Sequence, residues 1–377
     1  MPATLRSLLL ASAAAVVALS ATVPARALDG VVASIKPVHS LVAAVMEGVG
    51  EPALIVRGAG SEHVHSLRPS DAEALEKARV VFRVGEGMET FLNGPLKTLA
   101  AGAKVVSLED APGLEKLEFR EGGPFEAHSH GDGHDEGHGH GEDDPDDHAH
   151  NDDHAHDDDA HDDDAHDGHA HDDGHAHDDG DADADRAHDG HDHGSRDHAG
   201  HDHDEHDLHI WLDPVNAKAL VAEIARVLGA ADPDNSMRYR ANAVAYSGRL
   251  DALVAEVEAK VAPVRDRPVV VFHDAYQYFE KRFGVNVVGS ITVSPDVMPG
   301  AQRLSEIRAK VRELDAGCVF AEPQFEPKLV SVVTEGTGAR TGVLDPLGAD
   351  IADGPDLYPT LIRNLADSLV GCLSDAG

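Results

Sequence analysis

Val269-Val270-Val271-Phe272-His273-Asp274-Ala275-Tyr276 is the stretch that decides the fold. Four apolar residues, three of them β-branched, read as a strand. The run ends on a histidine and passes directly into a helical pattern, Tyr276–Phe283. Downstream, Val285–Val288, Cys318–Ala321 and Arg340–Leu344 read as further strands. They alternate with helical patterns at Ala301–Leu314, Pro327–Glu335 and Asp356–Leu373. Such alternation implies a mostly parallel sheet with helices on both faces.

Upstream the same grammar recurs. Val31–Ile35, Ala53–Val56, Val80–Val84 and Lys104–Leu108 read as strands; Val38–Val49, Pro69–Ala78 and Met88–Ala100 read as helices. Ser70 with Glu73 resembles a capping box at the start of the second helix. Between the two halves, Met237, Ala241, Val244, Leu250, Leu253, Val257 and Val261 recur at helical spacing. Asp232 suits an N-cap and Pro233 a first helical position. A continuous helix over 233–261 would run about 43 Å and brace both halves stiffly, which limits closure. The expected fold class is therefore α/β: two open parallel-sheet lobes, 28–232 and 263–377, joined by a long rigid helix at 233–262.

Residues 126–207 break this grammar. They hold 22 of the 27 His, 32 of the 69 acidic residues and only two bases, Arg186 and Arg196. Their net charge is −30 of the chain's −38, so the acidity is local. It speaks against nucleic acid as a partner and for cations. His-Ala-His recurs four times, mostly beside paired Asp: His148 with His150, His154 with His156, His169 with His171, and His175 with His177. In an extended chain residues i and i+2 share a side, so each pair can converge on one ion. Imidazole suits Zn²⁺, Cu²⁺ and Ni²⁺. The segment has almost no side chain larger than Ala with which to build a core, so a disordered insertion in the first lobe is expected, binding several ions weakly. The competing reading is a solvated acidic linker.

Residues 1–27 read as a secretory signal: Arg6, then an apolar run from Leu8 to Leu19, then Ala25-Arg26-Ala27 as a cleavage pattern. The run is too short to span a bilayer. The expected destination is a periplasm, and nothing later is long and apolar enough to cross a membrane. A short membrane anchor is the alternative. Only two cysteines exist, Cys318 and Cys372. In an oxidising compartment they are a candidate disulfide, with two buried free thiols as the alternative.

Five histidines remain outside the insertion. His63 lies in Gly58-Ala59-Gly60-Ser61-Glu62-His63, a turn-rich stretch after a strand. His209 opens His209-Ile210-Trp211-Leu212-Asp213-Pro214, before a helix. His273 ends the strand quoted first. Strand-to-helix junctions form the edge of an open α/β sheet where ligands bind. A metal held by all three would lie between the lobes, and three imidazoles favour Zn²⁺ over Mn²⁺. Trp211, Tyr276 and Phe279 are expected to pack around it, with a simple core role as the alternative.

These stretches resemble the ZnuA family, periplasmic zinc-binding proteins of high-affinity zinc ABC importers. The likeness is carried by Gly60-Ser61-Glu62-His63, Ser66-Leu67-Arg68-Pro69-Ser70-Asp71, His209 to Pro214 and Phe272-His273-Asp274-Ala275-Tyr276. It continues through Phe279-Glu280-Lys281, Pro299-Gly300-Ala301-Gln302-Arg303, Phe320-Ala321-Glu322-Pro323-Gln324-Phe325 and Leu344-Asp345-Pro346-Leu347-Gly348. The resemblance implies a His/Asp-rich insertion, two lobes joined by a long helix and a disulfide like Cys318–Cys372. It implies that His63, His209 and His273 ligate Zn²⁺ as transported cargo, with Glu62 or a water in the fourth position. Manganese-type relatives use an Asp matching Asp345, and a Glu where this chain has His273. It implies an importer permease and its ATPase as partners and a monomer that does not itself span the membrane. His65 reads as an exposed loop residue or a spare ligand.

Two other functions use the same ligands. Three His and an open position would suit a zinc hydrolase with Glu62 as general base, but there is no His-Glu-x-x-His helix. A stand-alone metal buffer is the other.

Overall fold

The decisive stretch becomes β5 (Val269–His273), buried along its whole length. The structure, a computed structural model, describes residues 28–120, 125, 206–292, 299–325 and 328–374. The signal segment expected at 1–27 lies outside the described residues. So do all eight histidines of the expected weak loop sites: His148, His150, His154, His156, His169, His171, His175 and His177.

The first half builds a parallel sheet from β1 (Val31–Ala33), β2 (Ala53–Leu54), β3 (Val80–Arg83) and β4 (Lys104–Ser107), in the order β2-β1-β3-β4. Its helices are α1 (Lys36–Val45), α2 (Pro69–Glu76), α3 (Asn93–Thr98) and α4 (Pro214–Ala231). The second half repeats the plan. β5, β6 (Val287–Thr292), β7 (Cys318–Ala321) and β8 (Arg340–Val343) are parallel in the order β6-β5-β7-β8. Between the halves runs α5 (Ser236–Val261); the second half adds α6 (Gln277–Phe283), α7 (Ala301–Glu313), α8 (Lys328–Thr334) and α9 (Leu357–Ser374).

Helix α5 buries Tyr239, Ala243, Tyr246, Leu250, Leu253, Val257 and Val261, a stripe at helical spacing. It packs on α4, α1 and α9. One hydrophobic cluster runs from Leu28 to Leu373 through residues of both sheets, and the described residues belong to a single compact unit. Cys318 in β7 and Cys372 in α9 form a disulfide with Cα atoms 6.2 Å apart. Among the described residues no helix is long and apolar enough to cross a membrane.

Several local expectations are corrected. Asp232 does not cap the long helix: a 3-10 turn at Pro233–Asn235 precedes α5, and the Asp232 carboxylate accepts instead from Asn235 Nδ2 and the Tyr239 hydroxyl. Ser70 is not the cap of α2 either. Pro69 starts that helix, and the Asp71 carboxylate accepts from the Arg68 backbone N–H. Met88–Ala100 splits into a 3-10 turn, Thr90–Leu92, and the short α3, because Gly94-Pro95 supplies a weak helix former and a residue without an N–H. The insertion does not extend through 207. His206 pairs with Glu118 in an isolated antiparallel bridge, and the Asp207 N–H donates to Leu117 O at 2.8 Å.

Candidate metal centre

Each half carries one edge of the site. His273 is the last residue of β5, paired with Thr292 at the end of β6. Glu62 and His63 sit in the connection from β2 to α2. Gly58 turns that connection with φ +62°, a conformation open to glycine. At Gly60 a Cβ would meet Val56 Cγ1 at 2.9 Å. The Ser61 hydroxyl accepts from the backbone N–H of His63 at 3.1 Å and fixes the turn. His209 immediately precedes the 3-10 turn Ile210–Leu212 that leads into α4.

The three imidazoles and the Glu62 carboxylate converge, each offering one ligand atom within 4.8 Å of the others. His209 Nε2 and His273 Nε2 are 3.3 Å apart. Glu62 Oε1 lies 3.9 Å from His209 Nε2 and 4.0 Å from His63 Nε2. A four-coordinate zinc with Zn–N of about 2.0–2.1 Å sets its ligand atoms about 3.3 Å apart, so the closest pair already has the spacing and the carboxylate needs a small approach.

The donor set fits a cation on two further grounds. Glu62 Oε1 and His63 Nε2 are buried atoms without a hydrogen-bond partner, an arrangement that costs free energy unless something satisfies it. The tautomers inferred from the remaining contacts point the same way. His209 Nδ1 is 2.7 Å from Asp207 Oδ1, and His273 Nδ1 is 2.8 Å from Glu322 Oε1. With both Nδ1–H groups donating to carboxylates, both Nε2 lone pairs face each other. They need a shared proton or a shared metal between them.

The electrostatics follow from burial. Glu62 is 1 % exposed, and desolvation raises its pKa to about 7. Burial holds His63 well below the ordinary imidazole value, helped by the charge of its two neighbouring histidines. Burial also opposes charge on His273, but the carboxylates of Glu322 and Glu62 outweigh it and bring its pKa to about 9. These carboxylates therefore favour a proton on His273 in the metal-free site.

An apolar wall encloses the cluster. Trp211 is fully buried with its ring centroid 5.3 Å from that of His209, and its Nε1–H donates to Pro346 O. Tyr276 approaches His273 at 6.4 Å between centroids. Phe325, which the sequence did not single out, meets His273 edge-on at 6.2 Å. Phe279 packs against Phe283 instead, with centroids 4.6 Å apart.

Asp345 is not among the convergent groups. Its carboxylate accepts from the N–H groups of Leu347, Gly348 and Ala349 and from Gln324 Nε2. Nor is His65, and it is not an exposed loop residue. Its ring packs on Phe91 at 5.4 Å and its Nε2 lies 3.6 Å from Asp71 Oδ2. The sequence reading missed Asp207 and Glu322, which orient two of the imidazoles. An acidic residue two positions before His209 was the available signal; Glu322 is 49 residues from its partner.

Comparison with known proteins agrees with this architecture. The family model "Zinc-uptake complex component A periplasmic" (ZnuA) matches residues 31–372. The chain is 58% identical over 346 residues to the high-affinity zinc uptake system protein ZnuA of Brucella suis, covering 92% of each. It is 33% identical over 343 residues to the protein of the same name from Yersinia pestis, covering 91% of each. Among solved structures, a crystal structure of ZnuA shares the fold at TM-score 0.60 and 21% identity, over 90% of this chain and 98% of that one. A Mn²⁺ complex of the solute-binding protein FpvC from Pseudomonas aeruginosa does so at TM-score 0.63 and 18% identity, over 92% and 99%. With the family model spanning both sheets and the cluster between them, the chain belongs to the ZnuA family of zinc-uptake components.

Proposed function

We propose that this protein captures Zn²⁺ in the periplasm between its two halves and delivers it to the permease of an ABC importer, without chemistry on the ion. His63, His209 and His273 supply three nitrogen ligands, and Glu62 is the fourth. The convergence of those four side chains from both sheets carries the reading. The two relatives described above bear the name of a high-affinity zinc uptake protein, and the buried, cation-hungry cluster suits tight capture. Because α5 bridges both halves along a buried stripe, release needs only a small relative motion of the two edges rather than a wide hinge. The protein acts as a monomer, secreted by the signal at 1–27. The insertion collects further ions through its four His-Ala-His pairs, from His148 and His150 to His175 and His177.

The test is a competition titration with a chromophoric zinc chelator. The intact protein should show one tight site, and His209→Ala and His273→Ala should each abolish it. Retention of the tight site in both variants would overturn the assignment. Turnover of an ester or peptide by the zinc form, lost in His209→Ala, would replace it with a hydrolase.

A further inference from the structure

The ends of the insertion meet at one place, and that place touches the site. Leu117 and Asp207 are joined by the Asp207 N–H···O contact at 2.8 Å, and Glu118 faces His206 in the next register position. The hydroxyl of Tyr278, a buried residue of α6, lies across this joint. It accepts from the Leu117 N–H at 3.0 Å and donates to Asp207 O at 2.6 Å. Gln277 Nε2 adds a bond to Glu118 O at 3.1 Å. Two residues further out, Arg120 pairs with both Asp274 and Glu280, and its guanidinium lies over the Phe125 ring at 4.1 Å.

Asp207 has a second duty. Its Oδ1 takes both the backbone N–H of His209 at 3.0 Å and the ring Nδ1 at 2.7 Å. The backbone of Asp207 thus belongs to the joint and its side chain to the metal cluster. Helix α6 comes from the second half of the chain, whereas Leu117, Asp207 and His209 come from the first. The joint therefore ties the His209 edge to the element that follows His273.

We propose that Tyr278 is a positioning residue for zinc binding: it clamps the paired root of the insertion and, through Asp207, holds His209 Nε2 in the cluster. This rests on the zinc-capture reading above. Partners behind a metal-bound imidazole fix its ring orientation and basicity. Here that partner is itself held by a contact from the opposite half, so loss of one phenolic oxygen is felt at the ion without any ligand being touched.

The experiment is a double-mutant cycle on zinc affinity in the full chain, using Tyr278→Phe and Asp207→Asn. Tyr278→Phe keeps the ring and loses two hydrogen bonds, so the metal-free protein should stay folded with a modestly lowered melting temperature, and zinc affinity is read well below it. Its zinc affinity should fall about tenfold, the lower end of the range for such outer partners. In the Asp207→Asn background the same substitution should have little further effect, because both act on His209. Histidine ¹⁵N spectra of the zinc-free protein should show the His209 Nδ1–H signal shifted in Tyr278→Phe and the His273 signal retained. Additive losses from Tyr278→Phe and Asp207→Asn, or unchanged zinc affinity in Tyr278→Phe, would overturn the proposal. If His209→Ala abolishes tight binding while Tyr278→Phe does not alter it, only this inference falls. If His209→Ala also leaves tight binding intact, the zinc-capture reading falls.

Discussion

Glu322 Oε1 lies 2.8 Å from His273 Nδ1, across 49 residues of sequence, with both side chains 1 % exposed. The contact aims Nε2 at the cluster and raises the basicity of the ring. Glu322→Gln keeps the size but removes the charge. Zinc affinity should fall roughly tenfold, or about 1.4 kcal/mol, measured by chelator competition at pH 7.5. Unchanged affinity would show that Glu322 merely fills space.

The same contact gives a pH signature. The pKa of His273 is about 9 in the metal-free fold against about 6.5 for an unperturbed imidazole. A raised pKa favours the fold at low pH, so this contribution is complete below about 6.5 and disappears as pH rises through 9. Glu62, raised to about 7, loses its contribution earlier, between its unperturbed value and 7. His63, lowered by burial, has the opposite sign and gains as pH rises toward the unperturbed value. Between pH 7 and 9.5 the His273 term is the one of these three still changing. The melting temperature of metal-free protein should decline over that window, and Glu322→Gln should flatten the decline.

Zinc must displace that proton. At pH 8 calorimetric titrations in buffers of different ionisation enthalpy should show roughly one proton released per tight zinc. A value near zero would mean that His273 is already neutral before binding.

Deletion of residues 126–205 should remove several weak zinc sites and leave the tight one. Equilibrium dialysis at low and high free zinc separates the two classes. Equal stoichiometry with and without the segment would show that its imidazoles bind nothing. Binding by the segment should also fade below about pH 6, where free imidazoles protonate.

Replacing both Cys318 and Cys372 by Ser should cost about 3–4 kcal/mol of stability, because the bridge closes a 54-residue separation. The bridge ties β7 to α9 rather than holding a ligand, so zinc affinity measured well below the melting temperature should stay within about twofold. A large loss of affinity would mean that α9 transmits strain to the cluster.

Much of this was legible beforehand. The Val-rich runs at 31, 80 and 269 became β1, β3 and β5, since β-branched residues between turn signals leave little choice. The order of the strands was not legible, because pairing depends on crossovers that sequence spacing does not encode. His63, His209 and His273 were visible as the histidines at element junctions. The carboxylates behind them were not, since Asp207 looks like one more Asp of the acidic segment and Glu322 reaches His273 only through the pairing of β5 with β7. Asp345 misled in the other direction. It enters only through its match to manganese-type relatives, and three backbone N–H groups hold its oxygens.

Because Glu118 and His206 face each other, the described residues that flank the insertion are held together at one place. Loop-closure entropy grows only logarithmically, so doubling the intervening length costs about 0.6 kcal/mol. The number of imidazoles carried there is thus almost uncoupled from folding. A longer or shorter segment between residues 125 and 206 would therefore change the number of imidazoles carried there with little effect on the fold of the described residues.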